Sequence, residues 1–280
     1  MRAPSRSITS SDSRAFRDEV RRLRRRHGPQ GWWPRVVERE SCSVKRQKGF
    51  EVRHHPGDMS RWLSRTDADR AFEVAIGAIL TQNTAWTNVE TALVCLSSAK
   101  LMTPKRIASA RLSTIQTCIR SSGYFRQKAK KLKLFARFVE KELEGNLNAV
   151  MSFRAKPRKL PIGRSLRAGR DDIVDMARRR LLSLWGIGPE TADTILLYGL
   201  NVPSFVVDTY TRRFLVEVTG SRRWLKMPYG DVQAFCTDVI PRSVKNWQEA
   251  HAFIVAWGET VREKLSCRPE GSRSDEGPSS

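Results

Sequence analysis

Apolar positions recur at helical spacing along most of the chain. Residues 15–27 set Phe16, Val20 and Leu23 among arginines. From Asp67 the pattern strengthens: Phe72, Ile76, Ile79 and Leu80 fall on one face, with Asp67 or Asp69 available as an N-cap. Amphipathic helices are predicted at about 87–97, 104–110, 111–120 and 124–144, with Pro104 at a helix start and Gly123 and Gly145 as breaks. The period resumes at Ile173, Met176, Leu181, Leu182 and Leu184, then through 189–200, 208–219, 228–240 and 246–264. No alternating run exceeds PSFVV near 203–207, and no long repeat is present. The expected fold class is all-α.

Between these helices the pattern fails. Residues 1–14 and 269–280 are polar and are expected as disordered tails, and His27–Pro34 (HGPQGWWP) cannot continue a helix. Residues 35–66 lack any period and read as a long loop, and the Pro-, Gly- and Arg-rich stretch 153–170 reads as an inserted one.

Composition narrows the class. Lys+Arg number 51 against 29 Asp+Glu, a net +22, which points to a polyanionic partner such as nucleic acid. With 40% hydrophobic residues the chain is too apolar to be disordered throughout. No run is long and apolar enough to span a bilayer, and the start has no apolar segment of a secretory signal. The expected location is cytoplasm or nucleoid, or a nucleus or organelle in a eukaryote, with no membrane partner. Five scattered cysteines (Cys42, Cys95, Cys118, Cys236, Cys267) include no CxxC pair, so neither a disulfide framework nor a metal site is indicated.

The chemistry concentrates in Leu181–Leu200, LLSLWGIGPETADTILLYGL. An apolar helix ends near Trp185, Gly186-Ile187-Gly188 turns tightly, and Pro189 opens the next helix, followed by Glu190 and Thr191. Such a turn presents free backbone N–H groups at a helix start, where the dipole also favours an anion. That is a phosphate clamp that reads no bases; the bland alternative is a structural hairpin. Farther on, FVVDTY ends an apolar approach with Asp208. This acid either caps the following helix or faces a groove beside the hairpin, where a carboxylate stabilises the positive charge of N-glycosidic cleavage; the two roles are compatible.

GIGPETAD followed by VVDTYTRRF resembles the helix-hairpin-helix and Gly/Pro-Asp signature of the endonuclease III superfamily of DNA glycosylases. The likeness covers roughly Asp67–Cys267, with gaps for the loops, and Gly28–Pro34. FEVAIGAILTQNTAW and SGYFRQKAKKL are similar to two further segments of that family. The resemblance implies a two-domain fold with a lesion cleft between: a six-helix domain at 71–202, and a discontinuous one from 15–70 and 203–268. It implies that Asp208 is the catalytic carboxylate, that Gly186, Ile187, Gly188, Glu190 and Thr191 bind the DNA backbone, and that Gln82 is the wedge filling the space of a flipped base.

Within that family, Glu190 stands where bifunctional members carry a Schiff-base lysine. A carboxylate forms no imine, so a monofunctional, water-using enzyme is expected. Trp32, Trp33, Pro34 and Trp86 resemble the aromatic pocket of the 3-methyladenine glycosylase branch. Indole faces there favour a cationic alkylated purine. The remaining tryptophans, Trp62, Trp185, Trp224, Trp247 and Trp257, are expected in the core. Many relatives hold a [4Fe–4S] cluster on four cysteines; here only Cys267 is present, followed by Ser274 and Gly277, so no cluster is expected. Basic runs at Arg21–Arg26, Lys128–Lys133, Arg178–Arg180 and Arg212–Arg213 supply phosphate neutralisation.

The implied partner is double-stranded DNA with a damaged base, bound by a monomer whose abasic product goes to a downstream endonuclease. Two other readings stay open: a bifunctional glycosylase/lyase acting on oxidised pyrimidines, and a noncatalytic DNA-binding module that retains the hairpin.

Overall fold

The structure, a computed structural model, describes residues 8–28, 30, 33–38, 50–53, 68–152 and 170–266. The expectations at Trp32, Trp62, Asp67, Cys267, Ser274 and Gly277, and for the loop 153–169 and the tail 269–280, lie outside them.

The first helix, α1 (Ser10–His27), starts earlier than its apolar spacing suggests. Thr9 and Asp12 form a reciprocal capping box, and Arg223 pairs with Asp12 at 2.5 Å. Residues 10–14, expected in a disordered tail, are therefore helical. The supposed loop after Pro34 contains two short antiparallel strands, β1 (Arg35–Glu38) and β2 (Phe50–Arg53), with Val36 opposite Val52. Four-residue strands are too short for alternation to stand out in sequence.

The helices α2 (Ala68–Leu80), α3 (Trp86–Ser98), α4 (Pro104–Ser109), α5 (Leu112–Cys118) and α6 (Phe125–Glu142) follow their predicted spans closely. In α2 the helical spacing buries Phe72, Ile76, Ile79 and Leu80 completely or nearly so, and Phe72 stacks on Phe135 of α6 with centroids 6.0 Å apart. Next come α7 (Arg170–Leu182) and α8 (Pro189–Thr194). The second of these continues into a π turn, Ile195–Gly199, rather than running as a plain helix to 200.

The last helices among the described residues are α9 (Thr209–Thr219), α10 (Tyr229–Val239) and α11 (Val244–Ser266). Helix α1 packs on all three. Phe16 is the knob of that contact: fully buried, it meets Phe214 and Phe235 at 5.9 and 5.5 Å. Burying one such ring contributes about 2–3 kcal/mol. The N-terminal helix thus belongs with the C-terminal ones, while α2 packs on α3, α6, α8 and the π turn. The fold is all-α, with the hairpin α7–α8 and Asp208 at the junction of these two groups.

Among the tryptophans expected in the core, Trp224 and Trp247 are buried and Trp257 is partly so. Trp185 is not. It is 58% exposed on the hairpin turn, because the helix ends at Leu182 and the turn that follows projects from the body.

Candidate active site

The hairpin turn has two glycines with different reasons to exist. Gly186 has φ +86, and a Cβ there would lie 2.6 Å from the Lys131 stem. Internal packing demands it. Gly188 has φ −91, and a Cβ there would meet nothing within 4 Å. No internal packing requires glycine at 188. Gly188 is also the N-cap of α8, and no side chain caps that helix start. Ala192 N–H is bonded to the Gly188 carbonyl at 2.9 Å. The N–H groups of Glu190 and Thr191, in the first turn of α8, have no acceptor within the helix. Ile187 is buried and anchors the turn.

Gln82 lies in the turn after α2 and is tied to this hairpin. Its Nε2 donates to the Gly186 carbonyl (3.0 Å) and to Thr191 Oγ1 (2.9 Å), and its Oε1 accepts from Lys131 Nζ at 2.5 Å. Around it Asn83, Tyr124, Gln127, Lys128 and Lys131 line an open pocket. Asn83 and Tyr124 both hold left-handed backbone (φ 53 and 43), and Tyr124 is 71% exposed. Strain of that kind gathers where function needs it. Lys128 is closed off: its ammonium donates to Leu80 O, Thr84 Oγ1 and Ser122 O at 2.6–2.7 Å. Burial, with Lys131 nearby, pushes its pKa down to about 8.

Asp208 takes the capping role that the sequence left open. As N-cap of α9, its Oδ1 accepts from Thr211 N (2.7 Å) and Thr211 Oγ1 (2.9 Å). Its Oδ2 faces His251 Nε2 at 3.6 Å, and the side chain keeps 15% of its surface open. Burial alone would raise its pKa, but His251 and the Thr211 donors outweigh that and hold the carboxyl below its ordinary value. Glu190 stands on the hairpin within electrostatic reach. Although the residue is exposed at the surface, surrounding protein and then the Asp208 charge push its pKa up to about 7.

Of the predicted aromatic group, Trp33 and Trp86 are in contact with each other. Trp33 is buried (7% exposed), Pro34 is buried, and Trp86, half-buried, meets Trp33 edge-on at 5.1 Å. Trp33 in turn packs on Tyr198 at 5.6 Å, with its indole 3.0 Å from where a Cβ on Gly77 would stand. Tyr198 hydrogen-bonds His251. Aromatic contacts thus run from Trp86 to the partner of Asp208.

The basic runs divide. Arg178 is bound bidentately to buried Asp193, Arg212 donates to the Trp224 and Met227 carbonyls, and Lys128 is buried. Their charges serve the fold. Arg21, Arg25, Arg26, Lys130, Arg179 and Arg213 are exposed and available to phosphates.

Sequence reasoning singled out neither His251 nor Tyr198, and it placed Tyr124 and Lys131 only within a family-like segment and a basic run. A histidine or tyrosine on an apolar helix face looks like core until its neighbours are known; Tyr124, set after Gly123 outside the apolar period, offered the one legible signal. Among the described residues no three His, Cys, Asp or Glu side chains converge on a metal-binding site, and Cys95, Cys118 and Cys236 do not form the thiolate set an iron–sulfur cluster needs.

A family profile described as HhH-GPD superfamily base excision DNA repair protein matches residues 76–242. A protein of Methanocaldococcus jannaschii that carries the name DNA repair glycosylase is 34% identical over 188 residues, covering 67% of this chain and 76% of that one. Among solved structures, the 3-methyladenine DNA glycosylase of H. pylori, bound to 1,N6-ethenoadenine, superposes with a TM-score of 0.56 at 22% identity, covering 88% of this chain and 98% of that one. A non-covalent endonuclease III–DNA complex does so with a TM-score of 0.58 at 16% identity, covering 97% and 94%.

Proposed function

Because the chain belongs to the HhH-GPD superfamily of base excision DNA repair proteins, we propose that it is a monofunctional DNA N-glycosylase acting on an alkylated purine in duplex DNA. The reading rests on one observation: a carboxylate held ionised at the N-terminus of α9, partly open, and electrically coupled to Glu190 on the hairpin. The hairpin N–H groups take a backbone phosphate beside the lesion. The flipped nucleoside presents C1′ to Asp208. The glycosidic electron pair leaves with the base, which for a cationic alkylated purine departs neutral. The Asp208 carboxylate stabilises the positive charge on the sugar until water adds to C1′ and gives up a proton.

Glu190 cannot form an imine, which supports hydrolysis without strand scission. Gln82, with Asn83 and Tyr124 at the same rim, fills the vacated stack. Trp86, backed by Trp33, offers an aromatic wall that suits a cationic base. In this reading residues 71–202 form one domain, 15–70 with 203–268 form the other, and the monomer passes an abasic site to a separate endonuclease.

The test is to incubate wild type and Asp208→Asn with methylated and with oxidised duplex and to identify the released bases. Release of methylated purines by wild type alone is expected; equal release by both proteins removes Asp208 from the mechanism, and DNA binding without any release identifies a noncatalytic module. One observation favours a second reading, a lyase: Lys131 places an amine against the hairpin, and burial lowers its pKa. Borohydride trapping decides, since only an imine-forming enzyme crosslinks to damaged DNA.

A further inference from the structure

We propose that His251 is a positioning residue for Asp208, holding the carboxylate's Oδ2 from behind through Nε2–H while Tyr198 holds the imidazole. The inference rests on the reading of Asp208 as the catalytic carboxylate.

The geometry divides the two carboxylate oxygens. Oδ1 is committed to Thr211 by two short hydrogen bonds. Oδ2 faces His251 Nε2 at 3.6 Å, a gap that can tighten when substrate excludes water. On the far side of the ring, Nδ1 lies 2.8 Å from the Tyr198 hydroxyl, which is also 3.1 Å from the Gln248 carbonyl. His251 is 8% exposed and Tyr198 1%, so bulk water does not substitute for any of these partners. The π turn carries Tyr198 into this position, and Trp33 covers its ring.

A proton inventory fixes the direction. The phenol has one hydrogen. If it goes to His251 Nδ1, the neutral ring carries its hydrogen on Nε2, facing Asp208. If it goes to the Gln248 carbonyl, Nδ1 must donate to the phenol oxygen. A neutral ring would then turn a lone pair on the carboxylate, whereas the imidazolium turns N–H. Both favourable arrangements put hydrogen on Nε2. The titratable groups that act on the ring are Asp208, Tyr198 and Glu190 of the hairpin, and Glu190 is also within electrostatic reach of Arg212 of α9; Glu249, on the same helix as the ring, is engaged with Arg24 of α1 at 3.7 Å.

The consequence is specific. His251 is one of the groups that keep Asp208 ionised against its burial. Without it, burial raises the carboxyl pKa, so catalysis is lost at a higher pH on acidification. A merely structural histidine would slow the reaction equally at every pH.

The experiment measures single-turnover base release and duplex binding across pH for the full chain, as wild type, His251→Phe, His251→Gln and Tyr198→Phe, on methylated and oxidised duplex. His251→Phe keeps ring volume and removes the N–H; its acid limb should move up by about one pH unit, a tenfold loss at fixed acidic pH, with Kd within about twofold. His251→Gln retains an amide donor and should recover part of that shift, and Tyr198→Phe should move the limb in the same direction but less. An unmoved acid limb, or a loss uniform across pH, overturns the inference. If wild type releases no base, the proposed function fails, and imidazole 15N spectra still decide this one. They should show hydrogen on Nε2 and a changed Nε2 signal in Asp208→Asn; a bare Nε2 or an unchanged spectrum overturns it.

Discussion

Two glycines two positions apart answer to different partners. Gly186→Ala places a Cβ in left-handed backbone and into the Lys131 stem, and should cost about 1–3 kcal/mol in urea unfolding. Gly188→Ala meets open space at an ordinary φ, so stability should change by no more than about 0.5 kcal/mol. Its duplex affinity should nevertheless fall, because the methyl group stands where a phosphate must approach; unchanged affinity on titration would remove the phosphate from this turn. Glu190 supplies a pH signature at the same scale. Its folded pKa, about 7 against an ordinary 4.5, means that the folded chain holds this proton more tightly than the unfolded one. The carboxyl therefore disfavours the folded state increasingly above 4.5 and fully above about 7. Glu190→Gln should raise the Tm relative to wild type at about pH 8.5, with the gain shrinking toward pH 4.5; a gain independent of pH would contradict the assigned cause.

At the scale of elements, Asp193 ties the segment leading to Asp208 onto the hairpin. Fully buried on α8, it accepts from Arg178 of α7 (2.7 and 3.0 Å), Ser204 (2.6 Å), and Tyr229 and Gln233 of α10 (2.8 and 3.0 Å). Tyr229 also receives the Val207 N–H at 3.2 Å, and Gln233 donates to the Phe205 carbonyl at 2.6 Å. The extended approach to Asp208 is thus pinned to the hairpin through one carboxylate. Asp193→Ala would leave a half-buried guanidinium and several buried donors without their acceptor, and should cost about 3 kcal/mol in chemical denaturation. A loss under 1 kcal/mol would show that the network contributes little to holding the segment. The π turn acts at the same level. Gly199 lets it lie against the α2 backbone, where a Cβ would stand 3.3 Å from Ala71 O, while Tyr198 reaches His251.

For the whole molecule the decisive quantity is charge. A net +22 survives the internal engagement of Arg178, Arg212 and Lys128, because exposed arginines and lysines remain on α1, α6, α7 and α9. If several of them neutralise phosphates, log affinity falls linearly with log salt, with a slope of about −0.9 per phosphate contacted. Duplex affinity should drop by about tenfold or more between 50 and 200 mM salt. Flat binding over that range would mean that the basic surface faces another partner.

Helices, their order and the hairpin were legible from the sequence, since each depends on periodicity, capping or turn chemistry carried by neighbouring residues. GIGPETAD and Asp208 were legible for the same reason: a turn and an N-cap are local. Local rules also misled where a distant contact decided. Residues 10–14 are helical through a cap and a bond to Arg223, and Trp185 is exposed because its turn projects from the body. Only the tertiary structure joined Tyr198 and His251, 53 positions apart, behind the carboxylate, and turned Arg178 and Lys128 inward. Sequence spacing determines what one helix presents. Which side chains meet across helices, and how burial there sets their charge, depends on packing between segments that no local pattern encodes.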